Sequence, residues 1–247
     1  MPAICLIGNS HVGALKLGWP DIEVQFPGFV LDFYASAGQS LELEVKDGKL
    51  VPSEQIRKRL AATSGKNGDI EAGYDAYVVC GLTLSAMRAL HAYSTKFREL
   101  RQGGVEDFAL AMEPALRGAI AVDVVAKLRQ ITKAPVFLVG TPYGAYVRHE
   151  QLWEKLKGRG HEEVMAQAYD MACRKIAGAL SATFVPQPAE TVAENGFTTR
   201  EDFFLFALDY VRNEKAEHTH MNAAFGAIVL RDVLEKARAA LGSSNCA

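Results

Sequence analysis

The sequence lacks the features that define several common classes of protein. It has no run of about 18 apolar residues, which a membrane-spanning helix requires. Its formal net charge of −2 gives no long-range attraction to nucleic acid or anionic lipid. It also has no Walker A loop, no Gly-x-Gly-x-x-Gly after the first strand and no Gly-x-Ser-x-Gly elbow. Nucleotide binding and the ordinary α/β-hydrolase arrangement are therefore unsupported, and neither a nucleic-acid nor a membrane partner is expected.

Paired cysteines are also missing. The four cysteines are widely spaced and form no Cys-x-x-Cys pair. Cys5 and Cys80 fall in apolar, strand-like runs, which favours buried free thiols over metal ligands or disulfides. No basic segment, apolar stretch or cleavage site precedes the strand-like residues that begin by Ile4. These observations together predict a cytoplasmic protein.

Short apolar runs alternate with helical periodicity along the chain. Asp47-Gly48 lies between alternating residues and predicts a hairpin. The predicted strands are residues 3–9, Ile22–Phe26, 29–34, 74–80, 135–139 and 183–185. Strands that alternate with helices predict an α/β protein with a parallel sheet covered on both faces.

The helical stretches are bounded by proline, glycine and capping residues. We expect Gly18-Trp19-Pro20 to end the first helix and Pro114 to divide or start a stretch over 105–132. The other predicted helices begin at Ser53 or cover residues 84–100, 149–182 and 221–241. The whole chain reads as a single domain over residues 1–241, with residues 190–214 as a candidate lid and residues 242–247 as a disordered tail.

The first strand ends in the turn Gly8-Asn9-Ser10-His11. Open parallel sheets hold ligands at the carboxyl ends of their strands, where a serine nucleophile needs a general base. Glu217 and His220 are three residues apart before the last helix, so the carboxylate can orient the imidazole. Two further strands end in the small-residue turns 37–39 and 81–83, whose backbone N–H groups are candidates for stabilising an oxyanion.

Residues Gly8–His11 resemble the first block of the SGNH (GDSL-like) hydrolases, whose usual form is Gly-Asp-Ser. Residues Glu217–Gly226 resemble the last block, typically Asp-x-x-His followed by an Asn and a Gly-bearing helix. The resemblance implies a flavodoxin-like three-layer α/β/α fold with a central parallel sheet, the SGNH hydrolase fold. It also implies that Ser10 is the nucleophile, His220 the base and Glu217 the orienting carboxylate.

The resemblance further implies an oxyanion hole made by the backbone N–H of Ser10, Gly38 of the second block and a side chain of the third. This chain departs from the family pattern at three positions. Asn9 stands where Asp is usual, and Glu217 replaces Asp with a longer arm. The third block of the family, Gly-x-Asn, is matched by Gly81-Leu82-Thr83. Thr83 would therefore donate a hydrogen bond through a shorter side chain than that of asparagine.

Other interpretations of these residues stay open. Ser10 can be a helix N-cap, a position that serine favours. His218 and His220 with Glu217 can be read as metal ligands, although the remaining histidines form no second cluster. We expect no metal and no cofactor.

Three more residues are candidate substrate contacts. Asn9 and His11 flank the serine, and His11 can equally be a surface residue. Tyr143 follows a predicted strand end, where an aromatic side chain belongs either to the core or to an apolar wall of the site.

The sequence therefore predicts a serine esterase or deacylase that cleaves a small acyl ester through an acyl-enzyme on Ser10. A Ser-His pair like Ser10-His11 occurs in SGNH domains attached to sugar acyltransferases, which suggests an O-acetyl group on a carbohydrate. Two alternatives remain: an acyltransferase that uses the same triad on a sugar hydroxyl, and a non-catalytic SGNH-fold binding protein. The oligomeric state is left open.

Overall fold

A central sheet of five parallel strands lies between two layers of helices. The computed structural model describes residues 1–38, 40–96, 103–147, 150, 154, 162–205 and 220–244. The strands are β1 (Ala3–Gly8), β2 (Val30–Ala35), β3 (Leu43–Lys46), β4 (Lys49–Pro52), β5 (Ala76–Cys80), β6 (Val136–Val139) and β7 (Thr183–Val185). The helices are α1 (His11–Ile22), α2 (Glu54–Ser64), α3 (Ala86–Lys96), α4 (Val105–Arg117), α5 (Ile120–Ile131), α6 (Glu162–Ala179) and α7 (Ala223–Ser244).

The sheet has the strand order β2-β1-β5-β6-β7, and all of its neighbours pair in parallel. With the separate β3–β4 hairpin set aside, this is the order of the flavodoxin-like fold. The predicted three-layer α/β/α class is therefore confirmed. The order reverses beside β1, so the carboxyl ends of β1 and β5 border the crevice where such sheets bind ligands.

Alternation along each strand divides the core between the two faces of the sheet. Ile4 and Leu6 of β1 pack with α1 and α7, whereas Cys5 and Ile7 pack with α2 to α6. Fully apolar strands are expected where a parallel sheet is covered on both faces. The free thiols of Cys5 and Cys80 are buried as predicted, and burial raises the pKa of Cys80 to about 12.

The predicted hairpin is confirmed. β3 and β4 pair antiparallel across Asp47 and Gly48, whose φ angles are 51° and 72°. Two successive positive φ angles define the type I′ geometry that joins two twisted strands by the shortest loop.

The first helix does not end at Gly18-Trp19-Pro20. α1 continues through Pro20 to Ile22, and a 3-10 turn follows where a strand over Ile22–Phe26 was predicted. Pro20 cannot donate to the carbonyl of Lys16, but both residues are exposed, so water can satisfy that carbonyl. The helix persists because it is packed closely against α7.

The next break in helical structure falls later than predicted. Pro114 lies inside α4, and the chain turns at Gly118 and Ala119 before α5 begins. The last helix runs to Ser244, so the first three residues of the predicted tail are helical, and residues 245–247 lie outside the described ranges. In the described ranges no helix is both long enough and apolar enough to cross a bilayer.

Candidate active site

Ser10 occupies the N-cap position of α1, two residues after β1 ends, yet its hydroxyl makes no capping hydrogen bond. Instead the Oδ1 atom of Asn9 accepts the His11 backbone N–H at 3.2 Å. The Ser10 Oγ lies 3.0 Å from Nε2 of His220, a residue 210 positions later in the chain. Ser10 is therefore the N-cap residue, as the alternative interpretation predicted, but its hydroxyl does not cap the helix. The predicted proximity of Ser10 and His220 is confirmed.

Backbone pairing on both sides of His220 fixes its position before α7. The Leu205 N–H donates to the His220 carbonyl at 2.8 Å, and the Asn222 N–H donates to the Phe203 carbonyl at 2.9 Å. Asn222 also caps α7, because its Oδ1 accepts the Phe225 N–H at 3.0 Å. The chain over residues 203–205 is thus a support for the imidazole.

The described part of the candidate lid, residues 190–205, is packed onto the chain that follows β6. The Thr199 hydroxyl donates to the Tyr143 carbonyl at 2.7 Å. The Phe197 ring lies 5.1 Å from the Tyr143 ring, measured between centroids. Residues 206–214 lie outside the described ranges, so a lid remains a prediction.

The predicted orienting carboxylate of Glu217 also lies outside the described residues, as does His218. The role of Glu217 and the alternative metal site that includes both residues therefore remain predictions. What the structure does contain is the close contact between Ser10 and His220.

His11, on the first turn of α1, is a half-buried imidazole with a low pKa. Burial, and next the nearby imidazole of His220, lower its pKa to about 4. The two rings lie 6.1 Å apart, and the buried Nδ1 of His11 has no hydrogen-bond partner among the described residues. A neutral His11 adds no positive charge beside His220, so it does not oppose proton uptake by that base.

The low pKa of His11 predicts a loss of stability in acid. Its pKa is about 4 in the folded protein and about 6.5 in an unfolded chain, so only the unfolded chain gains a proton between those values. The contribution of His11 to the free energy of unfolding is complete above pH 6.5. It falls by about 3 kcal/mol as the pH drops to 4. Urea unfolding at pH 7 and pH 4 checks this. A His11→Gln variant with the same pH dependence as the wild type would contradict it.

Gly38, the predicted second-block donor, follows β2 at the same sheet edge. Gly8 pairs with Ala35, and the Ser36 N–H donates to the Gly8 carbonyl at 3.1 Å. These contacts bring the chain after β2 to the end of β1. Gly38 has a φ of 93°, a conformation that a side chain would strain.

The third turn, Gly81-Leu82-Thr83, is a strained segment. Its φ angles are 76°, 47° and 63°, and left-handed backbone in non-glycine residues costs about 1–3 kcal/mol each. A Cβ at Gly81 would lie 2.6 Å from the Asn9 Oδ1, which explains the glycine. The Thr83 Oγ1 accepts the Ile120 N–H at 3.0 Å, so Thr83 holds the first turn of α5 and still has its hydroxyl proton to donate.

An open polar cleft of about 460 Å³ lies beside this turn. The residues that line it come from the turns after three strands, from the first residue of α1 and from the chain over 85–91 that enters α3: Asn9, His11, Thr83, Ser85, Arg88, His91 and Thr141. Both predicted substrate contacts, Asn9 and His11, line this cleft. They flank Ser10 in the sequence. Thr83, the proposed oxyanion donor, borders it as well.

Tyr143 lies in the core instead of in the cleft. Its ring packs against Tyr169 and Phe197, and burial raises the pKa of its hydroxyl well above the usual value. It lines a small apolar cavity of about 20 Å³ that it shares with His11. Of the two interpretations of Tyr143, the structure therefore supports a core residue, and no direct contact with a ligand in the cleft is expected.

Three residues of the cleft, in and just before α3, were not predicted from the sequence. Ser85, Arg88 and His91 are spaced by three, so they lie on one side of the helical segment that follows the third turn. That polar stripe beside a strand end is a signal that could have identified them.

Comparison with known proteins adds no assignment. Neither the scan of protein-family models nor the search of curated proteins gave a match for this chain. The geometry of Ser10, His220 and the adjoining cleft is therefore the basis for a functional proposal.

Proposed function

We propose that this protein is a serine esterase or deacylase of SGNH type that cleaves a small acyl ester. The first substrate class we propose is an O-acetyl group on a carbohydrate. The observation that carries the proposal is the 3.0 Å contact between Ser10 Oγ and His220 Nε2. A nucleophile and its base need this hydrogen-bond distance, and the Ser10 hydroxyl has no capping role to explain it.

In the first half of the reaction, Ser10 Oγ attacks the ester carbonyl carbon while His220 Nε2 accepts the hydroxyl proton. Nε2 can accept only if the imidazole proton is on Nδ1, and Glu217 is the proposed partner that holds this tautomer. The tetrahedral intermediate collapses when His220 returns the proton to the leaving alcohol oxygen. The products of this half are an alcohol and an acyl ester of Ser10.

In the second half, His220 takes a proton from a water molecule that attacks the acyl-enzyme. Collapse of this intermediate returns the proton to Ser10 Oγ and releases a carboxylic acid. If a sugar hydroxyl attacks in place of water, the same steps transfer the acyl group.

The charge on the tetrahedral oxygen needs hydrogen-bond donors. We propose the backbone N–H groups of Ser10 and Gly38, with the Thr83 hydroxyl in place of an amide side chain. Thr83 suits this role because its Oγ1 is held by the Ile120 N–H, which leaves the hydroxyl proton available. A strained backbone at this position is consistent with a functional constraint.

Removing the Thr83 hydroxyl is predicted to affect both rate and stability. Thr83→Val should lower kcat by about 10²-fold with little change in KM, since one oxyanion donor is lost. It should also lower the free energy of unfolding by about 1–2 kcal/mol, because the Ile120 N–H loses its acceptor. Thr83→Ser keeps the hydroxyl and should restore kcat. Equal kcat values for the Val and Ser variants would exclude the oxyanion role.

Product analysis tests the proposed reaction. Acetate release from 4-nitrophenyl acetate and from an O-acetylated sugar should be measured with and without an excess of free sugar. A hydrolase should release acetate at a rate that the free sugar leaves unchanged. An acyltransferase should instead produce acetylated sugar. Failure to turn over either ester under both conditions would contradict the proposal.

A non-catalytic binding module is the second candidate. The observation that favours it is that Thr83 already has a structural role at the start of α5. In that case Thr83 would support a binding cleft, and Ser10 would not be an activated nucleophile. Labelling of the serine distinguishes the two candidates.

A further inference from the structure

We infer that the cleft beside Ser10 is a subsite for an anionic group on the substrate, held by Arg88 together with neighbouring hydroxyl and imidazole donors. This inference rests on the proposed function for its placement in an ester substrate. The anionic group belongs on the alcohol side, because the cleft is open to solvent and gives the leaving alcohol a way out.

The first observation is the state of Arg88. Every other arginine in the described ranges makes a hydrogen bond or ion pair: Arg57, Arg59, Arg117, Arg129, Arg174, Arg200, Arg231 and Arg238. Arg88 is exposed and makes neither with any described residue. Its guanidinium lies near Gly118, where a Cβ would lie 3.6 Å from Nη2. An unneutralised guanidinium with five N–H donors is suited to carboxylate and phosphate oxygens.

The second observation is the composition of the cleft. Asn9, Thr83, Ser85 and Thr141 bring amide and hydroxyl donors, and among the described lining residues there is no carboxylate. The chain as a whole is slightly acidic, with a net charge of −2. The positive charge of Arg88 is therefore a local feature of this cleft. It favours an anionic ligand in the cleft but does not attract anions to the protein surface as a whole.

The third observation is His11, which shares the wall of the cleft with Arg88. Its Nδ1 is buried and has no partner among the described residues. A buried polar atom without a partner costs free energy, and a rotation of the His11 ring would bring this atom to a ligand in the cleft. An exposed guanidinium and an imidazole atom without a partner thus border one cleft from two helices.

Anion binding to the protein tests the subsite without any need for turnover. Succinate, inorganic phosphate and the neutral succinamide should be titrated into the labelled protein and followed by amide NMR shifts. We expect saturable shifts at Thr83, Ser85 and Thr141 for the anions, and about tenfold weaker binding of succinamide. Tighter binding of succinate than phosphate favours a carboxylate as the anionic group, and the reverse order favours a phosphate.

Charge variants show whether Arg88 is responsible. Arg88→Gln should weaken anion binding by about tenfold, and Arg88→Lys should retain part of it. Arg174→Gln is the matched control, since Arg174 lies on α6 and pairs with Asp170 on the surface. Equal affinity for anions and succinamide, or equal losses in the Arg88→Gln and Arg174→Gln variants, would overturn the inference.

Ester pairs connect the subsite to the reaction. The values of kcat/KM for 4-acetoxybenzoate and 4-acetoxybenzamide should each be divided by the corresponding rate with hydroxide alone. The wild type should favour the carboxylate by about tenfold through KM, and Arg88→Gln should remove the preference. No turnover of either ester would count against the proposed esterase while the titrations still decide the anion subsite. Turnover without any preference would overturn the subsite alone.

Discussion

Replacing Ser10 by alanine is expected to lower kcat for acetyl-ester hydrolysis by about 10³-fold or more. The variant loses the only atom that can form the proposed acyl-enzyme. The fold should be unaffected, because the Ser10 side chain makes no capping hydrogen bond and Asn9 already satisfies the His11 N–H. Acetate release measured by a coupled assay checks the rate, and circular dichroism checks the fold.

A suitable control is Ser53→Ala. Ser53 is the N-cap residue of α2 and is exposed on the surface. This variant should keep wild-type kcat, which separates the loss of a nucleophile from the loss of any helix-start serine. If Ser10→Ala retained full activity in a folded protein, the assignment of the nucleophile would be wrong.

Replacing Gly226 by alanine is expected to lower the free energy of unfolding by about 3 kcal/mol or more. A Cβ on Gly226 would lie 1.8 Å from the Ala14 carbonyl oxygen, and one on Gly18 would lie 2.2 Å from the Ala227 nitrogen. The backbones of α1 and α7 therefore touch at these glycines. An added methyl group must push the two helices apart.

The same substitution should reduce activity, because α1 begins after Ser10 and α7 begins just after His220. A shift of about 1 Å between nucleophile and base can cost about 10²-fold in rate. Urea unfolding and acetate release at a temperature where the variant is folded measure the two effects. Wild-type stability and activity in Gly226→Ala would show that the α1–α7 contact does not position the pair.

Gly178→Ala is the matched control for this experiment. Gly178 lies near the end of α6, where a Cβ would meet no atom within 4 Å. Alanine is the better helix former by about 1 kcal/mol. The control should therefore have equal or slightly greater stability than the wild type and unchanged activity.

The contact between Ser10 and His220 was predictable because it follows from topology. Apolar runs such as Ala3–Gly8 and Ala76–Cys80 identify buried parallel strands, and parallel strands bring their carboxyl ends to one edge. A serine after the first strand and a histidine before the last helix then have one place to meet. Topology thus predicts where they meet, and the choice of His220 as the partner of Ser10 came from the resemblance of the first and last sequence blocks to the SGNH hydrolases.

The errors arose where tertiary packing overrides a local rule. Pro20 was expected to end α1, but close packing of α1 on α7 through Gly18 keeps the helix intact. Pro114 is likewise inside α4, with the break at Gly118. A proline rule applied to the sequence contains no information about the helix that packs alongside.

The cleft was less predictable than the nucleophile–base pair. Arg88 and Ser85 become part of it only because the strained turn over 81–83 directs α3 past the end of β1. Gly81 of this turn lies close to Asn9, a long-range contact that no local pattern in the sequence contains. Side-chain neighbours of this kind require the folded structure.

Labelling with a fluorophosphonate probe shows whether Ser10 is an activated nucleophile. If His220 activates Ser10, the wild-type protein should be modified covalently, and peptide mass spectrometry should place the adduct on Ser10. The His220→Ala variant should react at least about a hundredfold more slowly. A folded wild-type protein that is not labelled, or is labelled at another serine, would contradict the account.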